Sequence, residues 1–236
     1  MTDSSEVAIP WHRVVAWCMA VALVLAGLCY SSWVLQFVLP VHADPVTTFL
    51  SELDAEGKPF RWVFATGDKI TAALLVPTAI AGLWIFPRRR LTTVGWVALL
   101  CFGAATIGDV LLPLRDCGTP GAPACGAGSA LFPQLEQPHA LTSTLAVTSI
   151  AVAVFAFSLA AFRYRPHWRI LRELGLAFLV VGAAATIWML VADNLPGDYA
   201  LGIAQRIQVG AMSLWLATLG WAVLRETRDP GAMLSR

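Results

Sequence analysis

Six stretches of the chain are apolar over about 20 residues or more, with polar residues gathered between them. They run from about 13 to 39, 60 to 86, 91 to 113, 139 to 162, 171 to 193 and 200 to 224. About 20 apolar residues in a helix cross the hydrocarbon core of a bilayer. The pattern therefore predicts an all-α polytopic membrane protein, a bundle of six transmembrane helices. Residues 13–224 form its single membrane domain, with 1–12 and 225–236 as short tails. The first run is too long for the apolar core of a signal peptide and lacks a small-residue cleavage site, so it is expected to be retained.

The connectors carry their own signals. "TTFLSELDAEGKPF" places apolar Phe49, Leu50 and Leu53 beside Ser51, Glu52, Asp54 and Glu56, which predicts a short amphipathic helical turn capped by Ser51 or Thr48. "DCGTPGAPACGAGSALFPQLEQP" is too rich in Gly and Pro for a long helix. It contains Cys117 and Cys125, on the side of the membrane where disulfides persist, and they are expected to form a disulfide. Cys18, Cys29 and Cys101 lie in the apolar runs and are expected to be small buried residues. Pro77 in the second run should bend its helix. Gly95 with Gly103, and Gly175 with Gly182, are spaced to let helices approach closely. No internal repeat of the kind that builds many transporters is visible.

Composition narrows the picture. The chain of 236 residues is 58% hydrophobic and 13% charged, with a mean hydropathy of +0.69. That is too little polar surface for a water-soluble globule. The net charge of +1 gives no reason to expect nucleic acid as a partner, and the ten tryptophans suit anchoring at two lipid–water interfaces. Membrane lipids are the expected partners, and self-association is left open.

Charge also orients the chain. Arg88, Arg89 and Arg90 lie between runs two and three, Arg163, Arg165, Arg169 and Arg172 between runs four and five, and Arg225 and Arg228 after run six. The opposite loops hold Lys58, Arg61 and Arg115. The positive-inside rule then puts both termini in the cytoplasm of a plasma-membrane protein, with loops 40–59, 114–138 and 194–199 outside.

Against this frame the ionisable residues within the spans stand out. Asp68 and Lys69 are some two turns into run two, Asp109 is one turn from the end of run three, and His139 opens run four with Ser143 four residues later. Gln205 and Arg206 lie near the start of run six, and Asp193 ends run five. All belong to the outer third. A charge at a helix centre costs about 2.5–3.5 kcal/mol, less towards the interface. Pairing inside the bundle removes most of that cost. Asp109 is expected to face an outward-open polar cavity with Arg206 and His139 as partners. Two plainer readings stand beside this: a structural ion pair of Arg206 with Asp68 or Asp109, and a Lys69 that only snorkels to headgroups.

The stretches "SELDAEGKPFRWVFATGD", "GDVLLPLRDC…C…PHALTS" and "GIAQRIQVGAMSLW" together resemble the bacterial and archaeal membrane-protein family known as domain of unknown function 998. The likeness extends over about 25–225. It implies six helices, a Ser-Glu-Leu element before helix two, an Asp further along that helix, an acidic end to helix three, a His opening helix four and Gln-Arg in helix six. It implies no assigned activity. Leu112, Pro113, Leu114, Arg115 and Asp116 stand where relatives are expected to carry Phe-Pro and an acidic run. A weaker likeness is to alkaline ceramidases and progestin-type receptors, membrane hydrolases that hold zinc with three His. Here only His139 lies near the cavity, since His12 and His167 fall on the cytoplasmic side. No metal or other cofactor is expected. Zinc held by His139, Asp109 and Asp68, with His42 reaching in, is the one metal site conceivable.

Two function classes follow. In the leading one, a hydrolase or transferase acts on a lipid headgroup, with His139 as general base, Asp109 orienting it, and Ser51 or, less favoured, Ser143 as nucleophile. Arg206, Asp68, Lys69, Gln205, Glu52 and Ser143 would bind the headgroup, Arg206 by bidentate contact with an anion. In the other, the same cavity binds or senses a lipid or small ligand without chemistry. A transporter is less expected, because polar groups are missing from the inner half. No nucleophile elbow, zinc-protease helix, P-loop or dinucleotide fingerprint is present.

Overall fold

The computed structural model describes residues 11–115, 138–164, 168–192, 194–197 and 199–226. Six long helices follow one another: α1 (Trp11–Tyr30), α2 (Arg61–Ile85), α3 (Arg90–Leu111), α4 (Pro138–Tyr164), α5 (Arg169–Ala192) and α6 (Leu201–Glu226). All six spans are long and apolar enough to cross a membrane, so the chain is a multi-pass membrane protein. The first differs from the expected single helix. Its α-helical part ends at Tyr30, and Ser32–Phe37 continues as a 3-10 helix. Ser31 and Ser32 stand at the break, where short hydroxyl side chains compete with the helical ladder. The expected Cys117–Cys125 disulfide, Asp193, His167 and most of both tails lie outside the described residues.

Each helix packs on its chain neighbours, and α1 closes the ring against α6. One end of the ring carries Arg89, Arg163, Arg172 and Arg225, each guanidinium lying over an aromatic ring. We refer to it as the arginine end and to the other as the loop end. Near the arginine end the core is aromatic. Trp96 meets Phe157 edge to face at 4.9 Å, and Phe157 lies 6.2 Å from Trp215. All three are buried. Small residues admit these rings: a Cβ on Gly82 would strike the Trp96 ring, and one on Gly95 would come within 2.7 Å of Phe157. Gly175 is closed in by Ser158, but Gly182 meets nothing within 4 Å, so it does not serve the close contact its spacing suggested. Large apolar side chains such as Leu28, Trp84, Val180 and Leu190 point outward, as helices solvated by lipid require. Cys18 and Cys101 also point outward, contrary to the buried position expected of them. Helix α2 runs unbroken through Pro77.

At the loop end, residues 38–60 fold back over the ring and are tied to it at several points. Gly202 N–H donates to the Val46 carbonyl at 3.0 Å and Glu56 N–H to the Leu114 carbonyl at 3.0 Å. The predicted helical turn is a 3-10 turn over Leu50–Glu52. Its cap is the Glu52 carboxylate, which accepts the Phe49 N–H at 2.9 Å, and not Ser51 or Thr48. A carboxylate that can reach back three residues satisfies the free N–H at the start of the turn.

Candidate functional site

Beneath this loop lies a pocket of about 100 Å³, walled by the loop and by α1, α2, α3, α4 and α6. A single water needs about 10–15 Å³ by the same measure, so the space holds several waters or a small headgroup. Three carboxylates line it: Asp54 from the loop, Asp68 from α2 and Asp109 from α3. His139 and Ser143 contribute from α4, Gln205 and Gln208 from α6, and Ser51 from the loop. Tyr30, Trp33 and Phe64 supply aromatic wall.

Helical periodicity assembles the α3–α4 part of the site. His139 and Ser143 are one turn apart on α4, and both face Asp109. Ser143 Oγ donates to Asp109 Oδ1 at 2.9 Å, and Thr142 donates to the same oxygen. His139 Nδ1 lies 3.5 Å from Asp109 Oδ1 and 3.2 Å from the Leu112 carbonyl oxygen. A carbonyl only accepts, so Nδ1 carries the proton. The other ring nitrogen, Nε2, stands 3.3 Å from Ser143 Oγ. A neutral ring accepts the serine proton there. A protonated ring donates to the serine oxygen, and the serine proton then goes to Asp109. The approach of α4 to α3 depends on Gly108, where a Cβ would come within 2.8 Å of Thr142.

Asp68 and Asp54 differ from Asp109 in having no side-chain partner. No hydrogen bond or ion pair from another described residue reaches either carboxylate. Asp54 is only 6% exposed, and Arg61 donates to its backbone carbonyl at 2.7 Å, not to its carboxylate. Burial pushes the Asp54 carboxyl up to about 6, with the charges of His139 and Arg61 opposing the shift. At pH 7 it is still mainly ionised.

Arg206 departs most from expectation. It does not reach Asp109 or Asp68. Its guanidinium donates to the carbonyls of Thr48 and Gly202, each at 2.8 Å, and to the Gln36 side chain. The reason is the winding of α6. Gln205, Gln208, Val209 and Met212 face the pocket, and Arg206, about 100° further round than Gln205, faces the loop and the 3-10 end of span one. Arg206 thus holds the loop, as does Gln205, whose side-chain oxygen accepts the Leu50 N–H. Lys69 is exposed and does not line the pocket, and Glu52 caps its turn. None of the lining residues is Lys or Arg, so the pocket is acidic where an anion site was expected. Among the described residues no three of His, Cys, Asp and Glu stand close enough to hold a metal ion. This includes His139, Asp109 and Asp68, and His42 is exposed in the loop.

Sequence reasoning missed Gln36, Asp54 and Gln208. Gln36 was legible as a single amide in the apolar run "WVLQFVLP", and Gln208 as the residue one turn beyond Gln205. Asp54 was not, because a loop has no period to say which side it buries.

The arrangement matches the order of motifs that suggested a family. A family model, described as "Protein of unknown function (DUF998)", matches residues 20–222. The chain belongs to the DUF998 family. The matched residues include every pocket-lining side chain of this member. No curated protein and no solved structure has a significant match to the chain.

Proposed function

We propose that this DUF998 protein is a hydrolase or transferase that works on a lipid headgroup at the outer leaflet of the plasma membrane. The observation that carries the reading is the bracketing of His139: its Nδ1 is held by Leu112 and Asp109, and its Nε2 faces the Ser143 hydroxyl inside the pocket. That is a base hydrogen-bonded to a hydroxyl, with a carboxylate 3.5 Å from its other ring nitrogen. His139 takes the Ser143 proton as the oxygen attacks the headgroup's electrophilic centre, and Asp109 stabilises the imidazolium that results. Ser143 is better placed for attack than Ser51, which lines the pocket without a bond to His139. The arginine-rich end supports a cytoplasmic placement of both termini, which opens the pocket outward.

A non-catalytic binder is favoured by one observation, that Thr142 and Ser143 both already donate to Asp109. Whole-cell lipid profiles separate the two. Strains carrying His139→Ala, Asp109→Asn or Ser143→Ala should each accumulate the same lipid at the expense of its product. Wild-type lipid chemistry in all three, with the protein folded and in the membrane, would rule out the enzyme.

A further inference from the structure

The seam where α1 meets α6 carries a second cavity, towards the opposite end of the ring from the acidic pocket. Two glycines bring these helices together. A Cβ on Gly220 would come within 2.7 Å of the Ala20 carbonyl oxygen, and one on Gly27 nearer still to that of Ser213. With the backbones so close, the large side chains of the seam stand at its outer edge. Trp17 and Trp221 are both exposed there, and they wall a groove of about 220 Å³. Every residue that lines it is apolar, with Val21, Val24 and Leu25 continuing the α1 wall and Leu224 the α6 wall. From Trp17 to Leu25 the groove runs about 12 Å along α1, away from the arginine end. It is more spacious than the acidic pocket and shares no residue with it.

The arginine end of this groove is basic. Helical spacing puts Arg13 one turn before Trp17 and Arg225 one turn after Trp221, each on the face of its helix that bears a groove wall. The antiparallel register fixed at Gly27 and Gly220 brings the two arginines to within about 3 Å of the same level. The Arg225 guanidinium lies over the Trp221 ring, 5.3 Å from its centroid. Stacked in this way, a guanidinium keeps the N–H edge in its own plane available to an anion, and that edge matches the oxygens of a phosphate. Arg89, Arg163 and Arg172 also lie over aromatic rings, but none of those rings lines this groove. An apolar trough with a basic mouth is complementary to a molecule that is apolar along its length and anionic at its head.

We propose that this groove binds an anionic phospholipid of the leaflet at the arginine end: one acyl chain lies between Trp17 and Trp221, and the phosphate meets Arg225 and Arg13. The site is separate from the acidic pocket and does not depend on the catalytic reading.

The full-length protein in detergent is titrated with phosphatidylglycerol, with phosphatidylcholine of the same chains, and with glycerol 3-phosphate, and binding is followed by native mass spectrometry. Phosphatidylglycerol should bind about tenfold tighter than either of the others. Arg225→Gln should remove the preference over phosphatidylcholine, and Arg13→Gln should reduce it about threefold. Arg163→Gln, at the same end but on α4, should leave it unchanged. Val21→Trp, which extends a larger ring into the groove, should weaken both lipids about tenfold. Equal binding of the two lipids overturns the proposal, as does glycerol 3-phosphate binding as tightly as phosphatidylglycerol. A Val21→Trp protein that holds phosphatidylglycerol normally overturns it too, and so does an Arg163→Gln protein that loses as much preference as Arg225→Gln. A lipid-free dimer broken by Val21→Trp would put a second copy of the chain in the groove and overturn it as well. Thermal melts check that each variant is folded, and Arg13→Gln carries the test if Arg225→Gln is not.

Discussion

At the arginine end of the ring, Trp96, Phe157 and Trp215 fill the space between the helices with ring contacts. At the loop end five of the helices, all but α5, and the loop enclose Asp54, Asp68, Asp109 and His139 around open space. The first region shows what holds such a bundle together. In lipid the hydrophobic effect gives helices no reason to prefer one another over acyl chains, so close packing must do it. The glycines that admit Trp96 and Phe157 are part of that packing. The second region spends stability. Among the described residues two of its carboxylates accept no hydrogen bond and make no ion pair, and its shape depends on a loop tied down by Arg206 and Gln205. Residues that weaken a fold and are not compensated locally are where a ligand's contribution is expected.

The contrast can be broken first in the packed region. Trp96→Ala should cost about 3–5 kcal/mol, the usual loss for a large buried ring, and lower the thermal midpoint in detergent more than any pocket substitution. A smaller loss than Asp109→Asn would refute the division of labour.

Next in size is the pH response of the loop end. Burial raises the folded carboxyl of Asp54 to about 6 from an exposed value of 3.8. A raised folded value means that this group's contribution to stability is full below 3.8 and is lost as pH rises through about 6. The span corresponds to roughly 3 kcal/mol at about 1.4 kcal/mol per pH unit. Melting curves from pH 3.5 to 7.5 should show that decline in the wild type, and Asp54→Asn should flatten it. An unchanged slope in the variant assigns the pH response elsewhere.

Arg206→Met tests the strap. Removing the guanidinium leaves the Gln36 amide oxygen and the Thr48 carbonyl short of a donor, a loss of about 1–3 kcal/mol. Limited proteolysis between residues 38 and 60 should speed up while the aromatic end keeps its hydrogen-exchange protection. Uniform loss of protection would mean that the loop is not a separate layer. The smallest effect on stability is expected from Asp109→Asn. The amide keeps an acceptor for Thr142 and Ser143, so unfolding stability in detergent should change by about 1 kcal/mol or less, while the proposed lipid turnover should stop.

The helices were legible because an apolar run long enough to cross a bilayer has few other folds open to it. The Asp109–His139–Ser143 group was legible in part, since Asp109 and His139 stand at one depth and the four-residue spacing on α4 puts Ser143 on the face of His139. What hydropathy leaves undetermined is the rotation of a helix about its own axis. Gln205, Arg206 and Gln208 spread polar groups around α6, and only packing decides that the glutamines face the pocket while the arginine faces the loop. The same rotation reverses the sign of the site. With Arg206 inside, the pocket would suit an anion, and with it outside the acids remain alone.

The ring is sealed by contact between its first and last helices. During synthesis, α2 and α3 therefore enter the membrane with Asp68 and Asp109 before the wall bearing Gln205 and Gln208 exists. Until α6 emerges from the ribosome those acids have no finished chamber, and the loop has no arginine to anchor it. Completion of the site thus waits for α6, and a truncation before residue 201 should leave inserted helices without the pocket wall that carries Gln205 and Gln208.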